Sequence, residues 1–116
     1  NFPPYITSNR NASRKSYKIN KLLKFLNKDV SEKCLELLGQ QKINNRIPRK
    51  LPRGTFVVHK TGLEKYVCHD AGIVFTNKGN FLICVLAKHE DRFAKPSKKF
   101  IANITLLAYN YYQNLD

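Results

Sequence analysis

Lys60-Thr61-Gly62 is the stretch of this 116-residue chain whose residue types, taken in order, suit the binding of an anionic acyl donor. The Lys60 ammonium supplies a positive charge, and the Thr61 hydroxyl can donate a hydrogen bond to a carboxylate. Gly62 leaves bare backbone where a substrate can lie along a strand. The next amide, Leu63 N–H, can point at a developing oxyanion. Lys60, Thr61, Gly62 and Leu63 are therefore the candidate substrate-binding set. Three letters recur by chance, however, and a strand running into an exposed turn accounts for them equally well. The surrounding elements decide between the two.

The motif needs a rigid strand, and the residues predict one. Thr55 to Thr61 is β-rich and ends at Gly62. Ala71–Thr76 and Phe81–Ala87 flank the turn signal Asn77-Lys78-Gly79-Asn80 and predict a hairpin. Their near-continuous apolarity predicts a sheet covered on both faces. Upstream, Ser13 or Ser16 through Asn27 reads as a helix, with Ile19, Leu22, Leu23 and Leu26 forming one apolar stripe. Ser31 is the expected N-cap of a second helix, which should bury Cys34, Leu35 and Leu38 and stop at Gly39. Residues 40–53 are polar and basic, are broken by Pro48 and Pro52, and are expected to form a loop. Pro96 opens a final helix. Phe100, Ile101, Ile104, Leu107, Ala108 and Tyr111 recur in it at helical spacing and should pack across the strands. The fold class that follows is α+β, an antiparallel three-stranded sheet packed with helices. Residues 1–12, rich in Pro, Asn and Ser, read as a linker into a domain over 13–116.

Composition narrows the choices further. A hydrophobic fraction of 42% suits one compact domain. No apolar run approaches the ~20 residues that span a bilayer. The net charge of +13 is concentrated early: residues 1–53 hold thirteen Lys/Arg against three Asp/Glu. Such a field attracts polyanions. Yet Lys15, Lys18, Lys21, Lys24 and Lys28 simply complement the leucine stripe as the solvated side of a helix, so nucleic acid is not an expected partner. Cys34, Cys68 and Cys84 include no CxxC pair, and Cys34 and Cys84 sit in apolar patterns like small core residues. His59, Cys68, His69, Asp70 and His89 make a poor metal set, because adjacent Cys68 and His69 side chains diverge on an extended segment. No metal and no cofactor is expected. His59 reads as a strand residue packed beside the cleft rather than as a base.

Ile43 to Gly54, followed by Phe56-Val57-Val58-His59-Lys60-Thr61-Gly62, resembles the approach to the third sheet strand of class A β-lactamases and their penicillin-binding relatives. The similarity continues through Asp70-Ala71-Gly72-Ile73-Val74 and the hairpin to the terminal helix. It covers roughly residues 9–115, the later half of a family domain. The resemblance implies a partial β-lactamase-like α/β sandwich. It also implies that Lys60 orients a substrate carboxylate, that Thr61 binds it, and that Leu63 supplies one oxyanion-hole amide. The reaction implied is serine attack on a β-lactam or D-alanyl-D-alanine peptide, followed by hydrolysis or transfer of the acyl group.

The nucleophile itself is missing. No Ser-x-x-Lys, no Ser-Asp-Asn and no Glu-x-x-Leu-Asn occurs, so no catalytic residue is expected in this chain and the chain alone should be inactive. The arginine that many β-lactamases place near the start of the second strand has no counterpart in Cys68-His69-Asp70-Ala71. The start, Asn1-Phe2-Pro3-Pro4-Tyr5, reads as a cut from a longer precursor. The family implies an extracytoplasmic setting and a β-lactam or peptidoglycan-type peptide as ligand. It also implies amino-terminal strands that would pair with residues 81–87; without them, that edge is expected to recruit the missing segment or to self-associate. The alternative expectation is a non-catalytic module of the same fold that holds an anionic polymer on its basic face.

Overall fold

The structure, a computed structural model, describes residues 27–115. The linker expected over 1–12 and nearly all of the helix expected to end at Asn27 lie outside the described residues. Helix α1 (Lys28–Gly39) leads through a 3-10 turn (Ile47–Lys50) to strands β1 (Phe56–Glu64), β2 (Val67–Phe75) and β3 (Phe81–Lys88), and helix α2 (Lys95–Gln113) follows. The strands pair antiparallel in the order β1-β2-β3, which makes β1 and β3 the two edges. This is the α+β architecture the residues predict, with a three-stranded antiparallel sheet packed against two helices.

Pairing opposes His59 to Gly72, Thr61 to Asp70 and Leu63 to Cys68. Opposed residues share a face, so Val57, His59, Thr61, Cys68, Asp70, Gly72 and Val74 line one side of the sheet. That side holds the core. Ile47 from the 3-10 turn and Ala94 and Ile101 from the region of α2 close over Val57, Cys68, Val74 and Phe81. Phe81 also stacks on Tyr112, with ring centroids 4.7 Å apart. On the other side α1 covers Phe56 and Val58, and a Cβ at Gly39 would lie 3.0 Å from the Phe56 ring.

Several boundaries and burial patterns differ from expectation. Strand β1 continues past Gly62 to Glu64, and β2 starts at Val67, so most of the segment expected to be a loop is strand. The two strands join through Lys65-Tyr66, where Tyr66 adopts a left-handed φ of 69° without any glycine or asparagine to announce it. Helix α1 is capped by Asn27, whose Oδ1 accepts from the Asp29 amide at 2.7 Å; Ser31 lies inside the helix and is buried. Cys34 and Cys84 are exposed, and Cys68 is the buried cysteine.

The final helix also rotates away from the expected packing. Ile101, Ala102 and Thr105 are buried, whereas Phe100, Ile104, Leu107 and Tyr111 face outward. Thr105 enters the core because its hydroxyl donates to the Ile101 carbonyl at 2.8 Å, leaving its methyl group to pack. The outer face of β3 is not covered either: Leu82, Cys84 and Leu86 are exposed. The expectation of two fully covered faces thus holds near β1 and fails at β3.

Glycines 62 and 72 separate packing needs from other needs. A Cβ at Gly72 would sit 2.3 Å from the Val58 carbonyl oxygen and 2.5 Å from the His59 Cβ, whereas one at Gly62 would meet nothing nearer than His69 at 3.7 Å. Gly72→Ala is therefore expected to cost about 3 kcal/mol or more, and Gly62→Ala less than about 1 kcal/mol. Urea denaturation of the two variants measures both.

Candidate functional site

Lys60 and Thr61 are adjacent on an edge strand, so their side chains leave β1 on opposite faces. Lys60 is exposed, and its Nζ donates to the neighbouring Thr61 carbonyl at 2.7 Å. Thr61 is buried on the core side, directly across from Asp70. Leu63 follows on that same side and is exposed. The four expected residues thus lie together inside one strand rather than at its end, and among the described residues nothing crowds Gly62.

Beneath them runs a polar network. The Asp70 carboxylate is fully buried and accepts from the Ile47 amide at 3.0 Å, while its two oxygens lie 2.9 and 3.1 Å from His59 Nδ1. His59 Nε2 lies 3.0 Å from Asn44 Oδ1, and Asn44 Nδ2 donates to the Gln41 carbonyl at 3.2 Å. A carboxylate removed from water needs such partners, since an unpaired buried charge costs several kcal/mol. The network also explains local folding. It fastens residues 41–47, which have little regular structure of their own, to β1 and β2. His59 is therefore part of a buried framework beside the strand and not a side chain facing the open edge.

Arg46 is a residue the sequence reading passed over. Only 2% of it is exposed, its Nε–H donates to Cys68 Sγ at 3.3 Å, and Nη1 donates to Asn45 Oδ1 at 3.1 Å. Among the described residues no carboxylate lies within ion-pairing distance of its guanidinium. Cys68 opposes Leu63 and is diagonal to Thr61, so this cation reaches the face that carries Thr61 and Leu63. An arginine was sought on the second strand itself; the structure delivers one to Cys68 from the preceding loop. In the sequence Arg46 is one basic residue among several between Lys42 and Arg53. Only the docking of the 3-10 turn singles it out.

The remaining histidines and cysteines do other things. Cys68 and His69 diverge to opposite faces, and the Ala87 amide donates to His69 Nδ1 at 3.2 Å. His89 reaches the carbonyls of Glu64, Val67 and Asp91 beyond the β1–β2 turn. A groove of about 600 Å³ beside it is lined by Tyr66, His89, Asp91 and Ser97 among others, and includes neither Lys60 nor Thr61. Among the described residues no three His, Cys, Asp or Glu side chains converge as a metal-ligand set.

Comparison with known proteins gives this geometry a setting. A family model described as the β-lactamase enzyme family matches residues 7–112. Among solved structures, a mutant of PBP-A in an acyl-enzyme complex with penicillin-G superposes with a TM-score of 0.73 at 21% identity, over 82% of this chain and 36% of that one. The TLA-3 extended-spectrum β-lactamase superposes with a TM-score of 0.67 at 27% identity, over 76% and 35%. A β-lactamase from Sphaerobacter thermophilus gives 0.67 at 23% identity, over 76% and 34%. This chain spans about a third of the length of each. No curated protein sequence matches it.

Because breaking one side of a buried charged network leaves the other side uncompensated, Asp70→Ala is expected to cost about 3–5 kcal/mol. Cys34→Ala, at an exposed helical position, should stay within about 0.5 kcal/mol. Thermal and urea unfolding compared with the parent chain tests both.

Proposed function

Because the chain belongs to the β-lactamase enzyme family, we propose that it is the substrate-gripping, carboxy-terminal part of a serine acyl-enzyme hydrolase acting on β-lactams or D-alanyl-D-alanine-type peptides. The observation that carries this reading is the pairing of a glycine that nothing crowds at position 62 with a buried arginine that meets no acid, both among the described residues. A carboxylate-bearing ligand lying along β1 satisfies both: the bare backbone admits it, and Arg46 and Thr61 supply charge and a hydroxyl. Lys60 adds a second cation at the same edge, and Leu63 N–H serves the oxyanion. That a mutant of PBP-A is seen as an acyl-enzyme complex with penicillin-G supports a β-lactam as one such ligand. An extracytoplasmic setting goes with the same reading.

This chain contains no Ser-x-x-Lys, so acylation requires sequence from outside it. Two surfaces suit that complement. The outer edge of β3 carries no strand among the described residues, and the Phe100, Ile104, Leu107 and Tyr111 stripe of α2 is exposed. The stripe lies on the side of α2 away from the buried Ile101, Ala102 and Thr105. A strand added to β3 would cover the first surface, and a further packed element the second. The chain is accordingly expected to self-associate at micromolar concentration in sedimentation experiments, and to become monomeric when the complementing segment is supplied.

A second reading rests on a different observation. No acid occurs between Leu37 and Leu63 or within α2, while Lys42, Arg49, Lys50, Arg53, Lys95 and Lys99 are all exposed. That surface suits an anionic polymer held without chemistry.

One titration separates the two. Benzylpenicillin and a D-alanyl-D-alanine peptide, added to isotope-labelled chain, should shift amide resonances at residues 60–63. Charge-assisted hydrogen bonds contribute about 1.5–3 kcal/mol, so Thr61→Val and Arg46→Gln should each weaken binding about tenfold or more. Shifts confined to residues 49–53 and 95–99 with polyphosphate, and none with either small ligand, would favour the polymer.

A further inference from the structure

We infer that His59 is held as the doubly protonated imidazolium, and that its second proton fastens Asn44, and with it the 41–45 segment that leads into Arg46, to the sheet. The argument is a chain of forced roles. The Gln41 carbonyl can only accept, so the Asn44 amide must turn its Nδ2 toward it, as observed at 3.2 Å. That orientation leaves Asn44 Oδ1, an acceptor, facing His59 Nε2 at 3.0 Å. Nε2 must therefore donate. On the other side Nδ1 meets the two oxygens of Asp70, which already accept the Ile47 amide. Both ring nitrogens donate, and only the imidazolium does that.

The surroundings sort by charge in the same sense. From β2 the ring faces the Asp70 carboxylate, with the Cys68 thiol two residues along the same face. From the 41–47 segment it faces Asn44, and the buried Arg46 guanidinium is the opposing like charge on that face. Lys60, next on its own strand, projects to the other side. Helix α2, which covers the face, has no acid; its ionisable side chains are Lys95, Lys98, Lys99, Tyr109, Tyr111 and Tyr112. Asp70 is thus the counter-charge of the ring, and Asn44 the acceptor of its second proton.

When a solvent base removes the Nε2 proton, two lone pairs are left facing across the Asn44 contact. Asn44 then has to swing away and give up Gln41, and the shift passes to Asn45, the side chain that accepts from Arg46 Nη1. The consequence for ligand binding, a carboxylate-binding cation whose position responds to His59, rests on the function proposed above. The latch itself does not.

The test needs no ligand. Long-range proton–nitrogen correlation spectra of the nitrogen-15-labelled 116-residue chain report each ring nitrogen of His59 directly. At pH 6 both are expected to resonate as N–H nitrogens. On raising the pH, Nε2 should move to the unprotonated range, and the Asn44 side-chain amide and Arg46 Nε–H signals should shift in the same step. In His59→Gln the Asn44 and Arg46 responses should be lost. One unprotonated ring nitrogen at pH 6 would overturn the inference. So would a His59 step that leaves Asn44 and Arg46 unmoved, a result the parent chain alone can give if the variant does not fold. Failure here leaves the penicillin titration to stand or fall independently.

Discussion

A carboxylate buried in the middle of a β-sheet sets the terms for much of this fold. Asp70 has no exposure to solvent, so its charge must be met within the chain by the His59 ring and the Ile47 amide. Those two partners come from different places: one from the opposing strand, the other from a loop that would otherwise have little reason to dock. Meeting the charge therefore fixes the position of the 3-10 turn over the sheet. Ile47 is carried into the core and Arg46 is brought to Cys68 by the same constraint. Desolvation of an ion costs several kcal/mol, comparable to the whole stability of a small domain. Such a network is hard to lose piecemeal.

The same constraint shapes the edge strand. His59 must reach across the pair toward Asp70, and the residue opposite it can have no side chain, which is why Gly72 lies there. With one face of β1 committed to this buried arrangement, Lys60 leaves from the other face, beyond the cover of α1, and Thr61 is seated across from Asp70. Gly62 is different in kind. Among the described residues nothing crowds it. Internal fit thus demands the glycine at 72 and makes no such demand at 62.

How far the residues alone revealed this can be argued element by element. Alternation and turn chemistry located all three strands, because Asn77-Lys78-Gly79-Asn80 is a strong local signal. The Lys65-Tyr66 turn carries no such signal, and β1 and β2 were accordingly read as too short. Helical spacing placed α2 but admits more than one apolar stripe. Which one is buried depends on the 3-10 turn and β3, not on the helix itself. Cys34 and Cys84 fit apolar patterns yet lie at an exposed helical position and on the uncovered side of β3. The motif at 60–63 was legible because it is contiguous. Arg46 was not, since a loop residue becomes part of a site only through long-range docking, and the Asn44–His59–Asp70 chain spans three segments that no sequence window contains.

Family membership accounts for the fold, and the chain spans about a third of the length of each related structure. The central claim is narrower: the open side of β1, with Thr61 and Arg46 beneath it, receives a carboxylate. Intermolecular nuclear Overhauser effects between benzylpenicillin and the chain test it most directly. Contacts from the penicillin gem-dimethyl group, which adjoins its carboxylate, to the Thr61 methyl and Leu63 side chain are the result expected. Contacts to Tyr66 and Pro96 in the groove beside His89, with none to residues 60–63, would contradict it.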